Sequence, residues 1–318
     1  MNEPKNSNLN PNLFMFVLTL FAVLSVFIVP ITKIIFPSLS NPKNSYILDT
    51  ISSTFHFILP IALYIVFKKV KIKEIIPLNP LSLKNVFLII FIGFSVIPFL
   101  MFISSIGDLF SKDIVSDILH EEASNLNLFQ SLFTIALLPA IVEELAFRGA
   151  ILSGYKKNSL LIGVLMSSLY FGMMHGNLNQ FVYTTVLGIF MAFLVRITNS
   201  IYSSMIMHFI FNAKAAILIY LSVKYIPTSF DQPSTLSSFE SVIIMFIIFL
   251  ISLPLLLLSI FLFIKNNKNE IKKLKDENIA IKNNPNKPKV FTAFFYVNIL
   301  LFILQILLLT LVKHLINT

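Results

Sequence analysis

The chain contains no cysteine. That excludes a disulfide framework, a thiolate metal site and a cysteine nucleophile. Charge is scarce as well. Asp, Glu, Lys and Arg make up 12% of 318 residues, roughly half the fraction of a soluble domain. Apolar residues make up 56% and the mean hydropathy is +0.85, which points to one helical membrane domain. No small-residue cleavage site follows the first apolar run, about Leu13 to Val29, so that run is expected to stay as a span and not leave as a signal peptide. The H-E-x-x-H zinc signature is missing, and no internal repeat is visible. The net charge of +9 is not a nucleic-acid patch, because the lysines sit in loops between apolar runs, where they set membrane orientation. No nucleic-acid partner is expected. The heavy use of Asn, Lys, Ile and Phe resembles the output of an AT-rich bacterial genome, so the expected location is a bacterial plasma membrane, with the bilayer itself as a partner.

A span needs about 20 mostly apolar residues. Nine stretches qualify as candidates, at about 13–36, 46–67, 85–106, 127–152, 159–176, 179–197, 200–223, 240–264 and 291–312. The fold expected is an all-α polytopic bundle of about eight or nine spans. Residues 1–264 form the bundle, 265–289 a polar cytoplasmic linker with a short helix at NEIKKLKDENIAIK, and 290–318 a last transmembrane helix. The loops sort by charge. Lys68, Lys69, Lys71, Lys73 and Lys84 lie between spans two and three, Lys156 and Lys157 between four and five, Arg196 ends span six, and eight lysines from Lys265 to Lys289 lie between eight and nine. The loop between three and four is acidic instead, with Asp108, Asp113, Asp117, Glu121 and Glu122 against Lys112, and the loop between seven and eight is nearly neutral. Positive loops stay inside, which gives N-terminus in and C-terminus out.

Against this apolar background a few polar residues are conspicuous. Glu143 and Glu144 are adjacent within LFTIALLPAIVEELAFRGAIL, and Arg148 follows. Charged groups at this depth are costly and mark function. Glu144 and Arg148 are four apart and share a helix face, so they are expected to pair. Glu143 lies about 100° round the helix and is left as the free carboxylate, the place of a general base. Phe171 and His175 are also four apart, as are His208 and Asn212. Asn212 is positioned either to orient His208 or to face a developing oxyanion beside it. Lys214 lies near that pair. His56, His120 and His314 have no such neighbours and are given no role. Measured from the basic loops at about 1.5 Å per residue, Glu143 and His208 lie roughly 10–20 Å deep and His175 nearer 25 Å, so tilt or an inward turn before span five is needed to bring the three level. The basic loops flank the end of span four and the start of span seven, so the site is expected to face the cytoplasm.

The order E-E-x-x-x-R, F-x-x-x-H, H-x-x-x-N, each within an apolar span, resembles the CPBP family of intramembrane proteases, which includes CAAX prenyl endopeptidases and Abi-type bacteriocin-immunity proteins. The stretch VLGIFMAFLVRITNSIYSSMIMHFIFN is similar to the family's link between its later motifs, and the likeness covers about residues 127–223. The resemblance implies a membrane-embedded peptidase in which Glu143 and His175 activate a water and His208 and Asn212 stabilise the oxyanion or complete the site, with Glu144, Arg148 and Phe171 orienting it. It implies a peptide or membrane-protein substrate, with roles in peptide maturation or bacteriocin self-immunity. A prenylated CAAX protein is not the expected substrate in a bacterium. No obligatory cofactor is expected. If a divalent metal such as zinc is bound, Glu143, His175 and His208 would hold it. Two other functions compete: a proton- or ion-coupled transporter, since intramembrane Glu and His also build proton relays, and a non-catalytic immunity or scaffold protein acting by binding.

Overall fold

A computed structural model describes residues 10–110, 120, 124–225 and 237–317. Lys112, Asp113, Asp117, Glu121 and Glu122 of the acidic loop lie outside these residues, as does 226–236 of the nearly neutral one. Every candidate span corresponds to a helix. In chain order these are α1 (Pro11–Ile35), α2 (Pro42–Lys68), α3 (Leu83–Asp108), α4 (residues 128–154), α5 (Leu160–Met174), α6 (Leu178–Thr198), α7 (Tyr202–Tyr225), α8 (Ser238–Asn266), α9 (Lys268–Asn283) and α10 (Ala293–Asn317). Seven of them, α1–α3, α6–α8 and α10, are long and apolar enough to cross a membrane. The protein is a polytopic all-α membrane bundle. Among the described residues the only β pairing is an isolated bridge between Leu78 and Ser200. Large apolar side chains such as Phe67, Phe87 and Ile251 stand more than two-thirds exposed, as lipid-facing positions do.

Two helices depart from a plain span. The first is α4. It starts at a capping box, with the Asn127 side chain accepting from the Gln130 amide and the Gln130 side chain accepting from the Asn127 amide. Two π-helical segments interrupt it, Leu132–Leu137 and Leu145–Ile151, with the α-helical turn Leu138–Glu144 between them. Such widened turns rotate the side chains that follow and occur often at functional sites. The second is α5, whose 15 residues reach only about 22 Å at 1.5 Å each, short of the roughly 30 Å hydrocarbon layer. The chain turns back at Gly176, whose φ of +70° suits a residue without a Cβ, and α6 begins two residues later. This turn follows α5, whereas the expected one precedes span five, and it leaves His175 at the C-terminal end of the short helix.

Close approach and buried polar pairs hold the bundle together. Gly188 of α6 packs on Ser168 of α5, where an added Cβ would lie 3.0 Å from the Ser168 Cβ. Small residues let membrane helices approach in this way. Helices α3 and α8 pair through Ser95 and Ser259, whose hydroxyls are 2.9 Å apart, and through Phe99 and Phe102 against Phe249. A polar hub ties the chain's two ends. The Asn12 amide donates to the Val290 carbonyl (2.7 Å) and the Thr292 hydroxyl (2.8 Å), its side-chain oxygen accepts from the Tyr155 and Tyr170 hydroxyls, and its backbone carbonyl accepts from Asn298. The helix expected within the polar linker forms as α9. It is not a free solvated segment, however. It buries Leu274, and its Asn278 side chain accepts from the Leu160 amide at 2.8 Å, capping α5 across the bundle where Ser159 does not cap it.

Candidate active site

Glu144 is the best-anchored charge in the chain. It closes the α-helical turn of α4, and Arg148 follows within the second π segment. One carboxylate oxygen lies 3.3 Å from Arg148 Nε; the other lies 2.9 Å from His208 Nδ1 on α7. Glu144 and Arg148 have no exposure and His208 is 2% exposed. The expected Glu144–Arg148 pair is present. Sequence spacing did not reveal that His208, 64 residues on, joins it. Arg148 also donates from Nη2 to the Gly188 carbonyl at 3.3 Å. Its guanidinium carbon sits 4.3 Å from the centre of the Phe171 ring. Nη1 has no hydrogen-bond acceptor, and the aromatic face stands in for one.

Phe171 is the centre of an aromatic floor. Its ring meets Phe147, His175 and His208 edge-on, at centroid distances of 5.3, 5.0 and 5.6 Å. Its carbonyl also lies 2.9 Å from His175 Nδ1. A carbonyl only accepts, so Nδ1 carries the proton and neutral His175 presents a lone pair at Nε2. The same reasoning applies to His208. Its Nδ1–H points to a carboxylate, leaving Nε2 for the cavity. When His208 is doubly protonated, Glu144 is its counter-ion. Each ring is oriented through one nitrogen and chemically available through the other.

Glu143, His175, His208 and Asn212 all line one cavity of about 280 Å³, together with Phe171, Pro139, Thr134, Ile135, Leu187, Phe211 and Ala215. The four candidate catalytic residues are thus brought together, and the three orienting residues lie around or beneath them. Other wall residues escaped sequence reasoning: Asp49 on α2, and Gln180, Tyr183 and Thr184 on α6. Asp49 was the most detectable of these, being an acidic residue inside an apolar run. Lys214 does not join the site; its ammonium lies 4.8 Å from the centre of the Phe211 ring. His56 stacks on Phe57 at 4.0 Å and is not part of the cavity wall. Among the described residues no group of three or more His, Asp or Glu side chains is placed to hold a metal ion. Glu143, His175 and His208 share a cavity without forming a ligand cluster.

The cavity wall takes its residues on α2, α4 and α6 from the halves of those helices away from the basic loops, but takes His208, Phe211 and Asn212 from the half of α7 that follows Arg196. A separate cavity of about 460 Å³ is walled by Arg148, Lys156, Arg196, Lys273, Glu270 and Glu277, so the buried Glu144–Arg148–His208 set touches both cavities, His208 the first and Arg148 the second.

Comparison with known proteins agrees with the motif reading. Residues 125–214 match the model of a protease family described as type II CAAX prenyl endopeptidase Rce1-like. The matched stretch contains all seven candidate site residues. No curated protein and no solved structure matches the chain.

Proposed function

We propose that this chain, whose core belongs to the CPBP/CAAX protease family, is an intramembrane endopeptidase that hydrolyses peptide bonds with a water activated by Glu143 and His175. The observation that carries the reading is the division of the two glutamates. Glu144 is consumed by Arg148 and His208, whereas Glu143 lines a cavity shared with two imidazoles and an amide.

In this mechanism the water sits between the Glu143 carboxylate and His175 Nε2. Glu143 takes its proton as hydroxide attacks the scissile carbonyl carbon. The carbonyl π electrons move to oxygen, and the oxyanion is held by Asn212 Nδ2–H and by protonated His208 at Nε2, whose charge Glu144 balances. As the tetrahedral intermediate collapses, Glu143 returns the proton to the departing amide nitrogen. Two peptides leave and the carboxylate is regenerated. Each step uses protein groups and water alone.

The substrate is a peptide or membrane-protein segment reached from the bilayer, and the setting is a bacterial plasma membrane, where peptide maturation or self-immunity to a bacteriocin are the roles that suit such an activity. The decisive comparison is between membrane peptides of cells carrying the intact protein and cells carrying Glu143→Gln. The expected result is at least one fragment present only with the intact form. Identical peptide profiles, with both proteins at equal levels, refute the protease; proton-driven uptake lost in the same variant would instead establish transport.

A further inference from the structure

Asp49 is an acidic residue that neither the motif nor the mechanism uses. It sits within the apolar helix α2, outside the stretch that matches the protease family. An ionisable group at this depth is costly and calls for a partner. The residue is half-buried, and its buried Oδ2 atom has no hydrogen-bond partner, which leaves an acceptor open to a donor entering the cavity. The side chain lines the same cavity as Glu143, His175 and His208.

Among the described residues the cavity wall carries the carboxylates of Asp49 and Glu143 and no lysine or arginine. His208, the cation of the mechanism, is held by Glu144, which also meets Arg148. The rest of the wall is mixed, with Ile135, Pro139 and Leu187 beside Thr134, Gln180 and Asn212. A wall of this kind fits a peptide segment that carries one cationic side chain. An unsatisfied carboxylate in low dielectric gives such a cation a strong, directional partner.

We propose that Asp49 is a specificity-determining residue that binds a lysine or arginine side chain of the peptide substrate as the scissile bond enters the cavity. This rests on the protease reading above. A charge-assisted pair of this kind favours a cationic residue over a neutral isostere by roughly tenfold or more.

The test uses purified full-length protein in liposomes and a fluorogenic peptide library in which one position at a time is Lys, Gln or Glu within an apolar frame. The intact protein should prefer Lys over Gln at one position by roughly tenfold or more in kcat/KM. In Asp49→Asn that preference should vanish while cleavage of the Gln peptide persists, and in Asp49→Lys it should turn toward Glu. A cation preference that survives in Asp49→Asn, or equal loss on every peptide, overturns the assignment. Binding separates this proposal from the protease reading. Fluorescence anisotropy of the Lys and Gln peptides is measured on Glu143→Gln and on Glu143→Gln/Asp49→Asn. Asp49-dependent binding of the Lys peptide with no cleavage by the intact protein leaves Asp49 standing and removes the protease. Cleavage without any charge preference does the reverse.

Discussion

Removing the charge on Glu144 tests the buried set most sharply. Glu144→Gln keeps the volume and an acceptor for His208 Nδ1 but leaves the Arg148 guanidinium without its counter-charge in a fully enclosed position. Breaking one side of a buried pair costs about 3–5 kcal/mol. Arg148 retains the Gly188 carbonyl and the Phe171 face, which recovers a part, yet a guanidinium cannot relieve the strain by losing its proton. Arg148→Met is the milder single change, because Glu144 keeps His208 as a partner. The double variant Glu144→Gln/Arg148→Met carries no orphaned charge. Thermal melts in detergent on the four proteins should therefore show Glu144→Gln as the least stable and the double variant as more stable than it, with a coupling on the order of 2–3 kcal/mol. Peptide cleavage should behave differently. It should stay low in the double variant, because His208 has lost the carboxylate that orients and balances it. A double variant no more stable than Glu144→Gln would refute the buried pair, and one that regained activity would refute the dependence of His208 on Glu144.

Four further outcomes are expected. Glu143→Gln should lower cleavage by about two or more orders of magnitude with an unchanged melting profile, measured on the same protein preparation. Asn212→Ala should also slow cleavage but by less than Glu143→Gln, since it removes one oxyanion donor and leaves the activated water; equal losses in a side-by-side assay would show that the two roles are not separable. Gly188→Leu should destabilise the bundle by roughly 1–3 kcal/mol through overpacking, because a Cβ there meets both Ser168 and, at 3.3 Å, the Arg148 guanidinium; an unchanged melt would count against the close α5–α6 contact. The absence of cysteine offers a clean background for topology. A cysteine at Gln180 should react with a membrane-impermeant maleimide from the side opposite to a cysteine at Asn284, and reaction from the same side would overturn the orientation read from the basic loops.

Much of this was readable from residue order, for identifiable reasons. Apolar runs of span length survive as helices because nothing in a bilayer offers the backbone another partner, so each candidate stretch recurs as an element with ends shifted by a few residues. The spacing of four in E-x-x-x-R, F-x-x-x-H and H-x-x-x-N is a local property of a helix and carried over directly. What failed to show were relations between helices. The His208–Glu144 bond joins α7 to α4, and no periodicity encodes it. Asp49 was passed over because it stands alone in α2, and its meaning comes from the cavity that α4, α6 and α7 complete. The linker at 265–289 was read from polarity as solvated, whereas a few apolar and amide side chains, Leu274 and Asn278 among them, suffice to dock it.

The Asn12 hub has a consequence for biosynthesis. Its acceptors and donors come from residues near 155, 170, 290 and 298, so the asparagine that opens α1 finds its full set of partners only after the last helix has left the ribosome. Until then the Asn12 side chain lacks its Val290 and Thr292 acceptors. Closure of this hub is thus a late event in the synthesis of the bundle. A stalled nascent chain ending before residue 290 would carry all the candidate catalytic residues in place and still present an unlatched edge, the kind of defect that membrane quality-control proteases find by its exposed polar group.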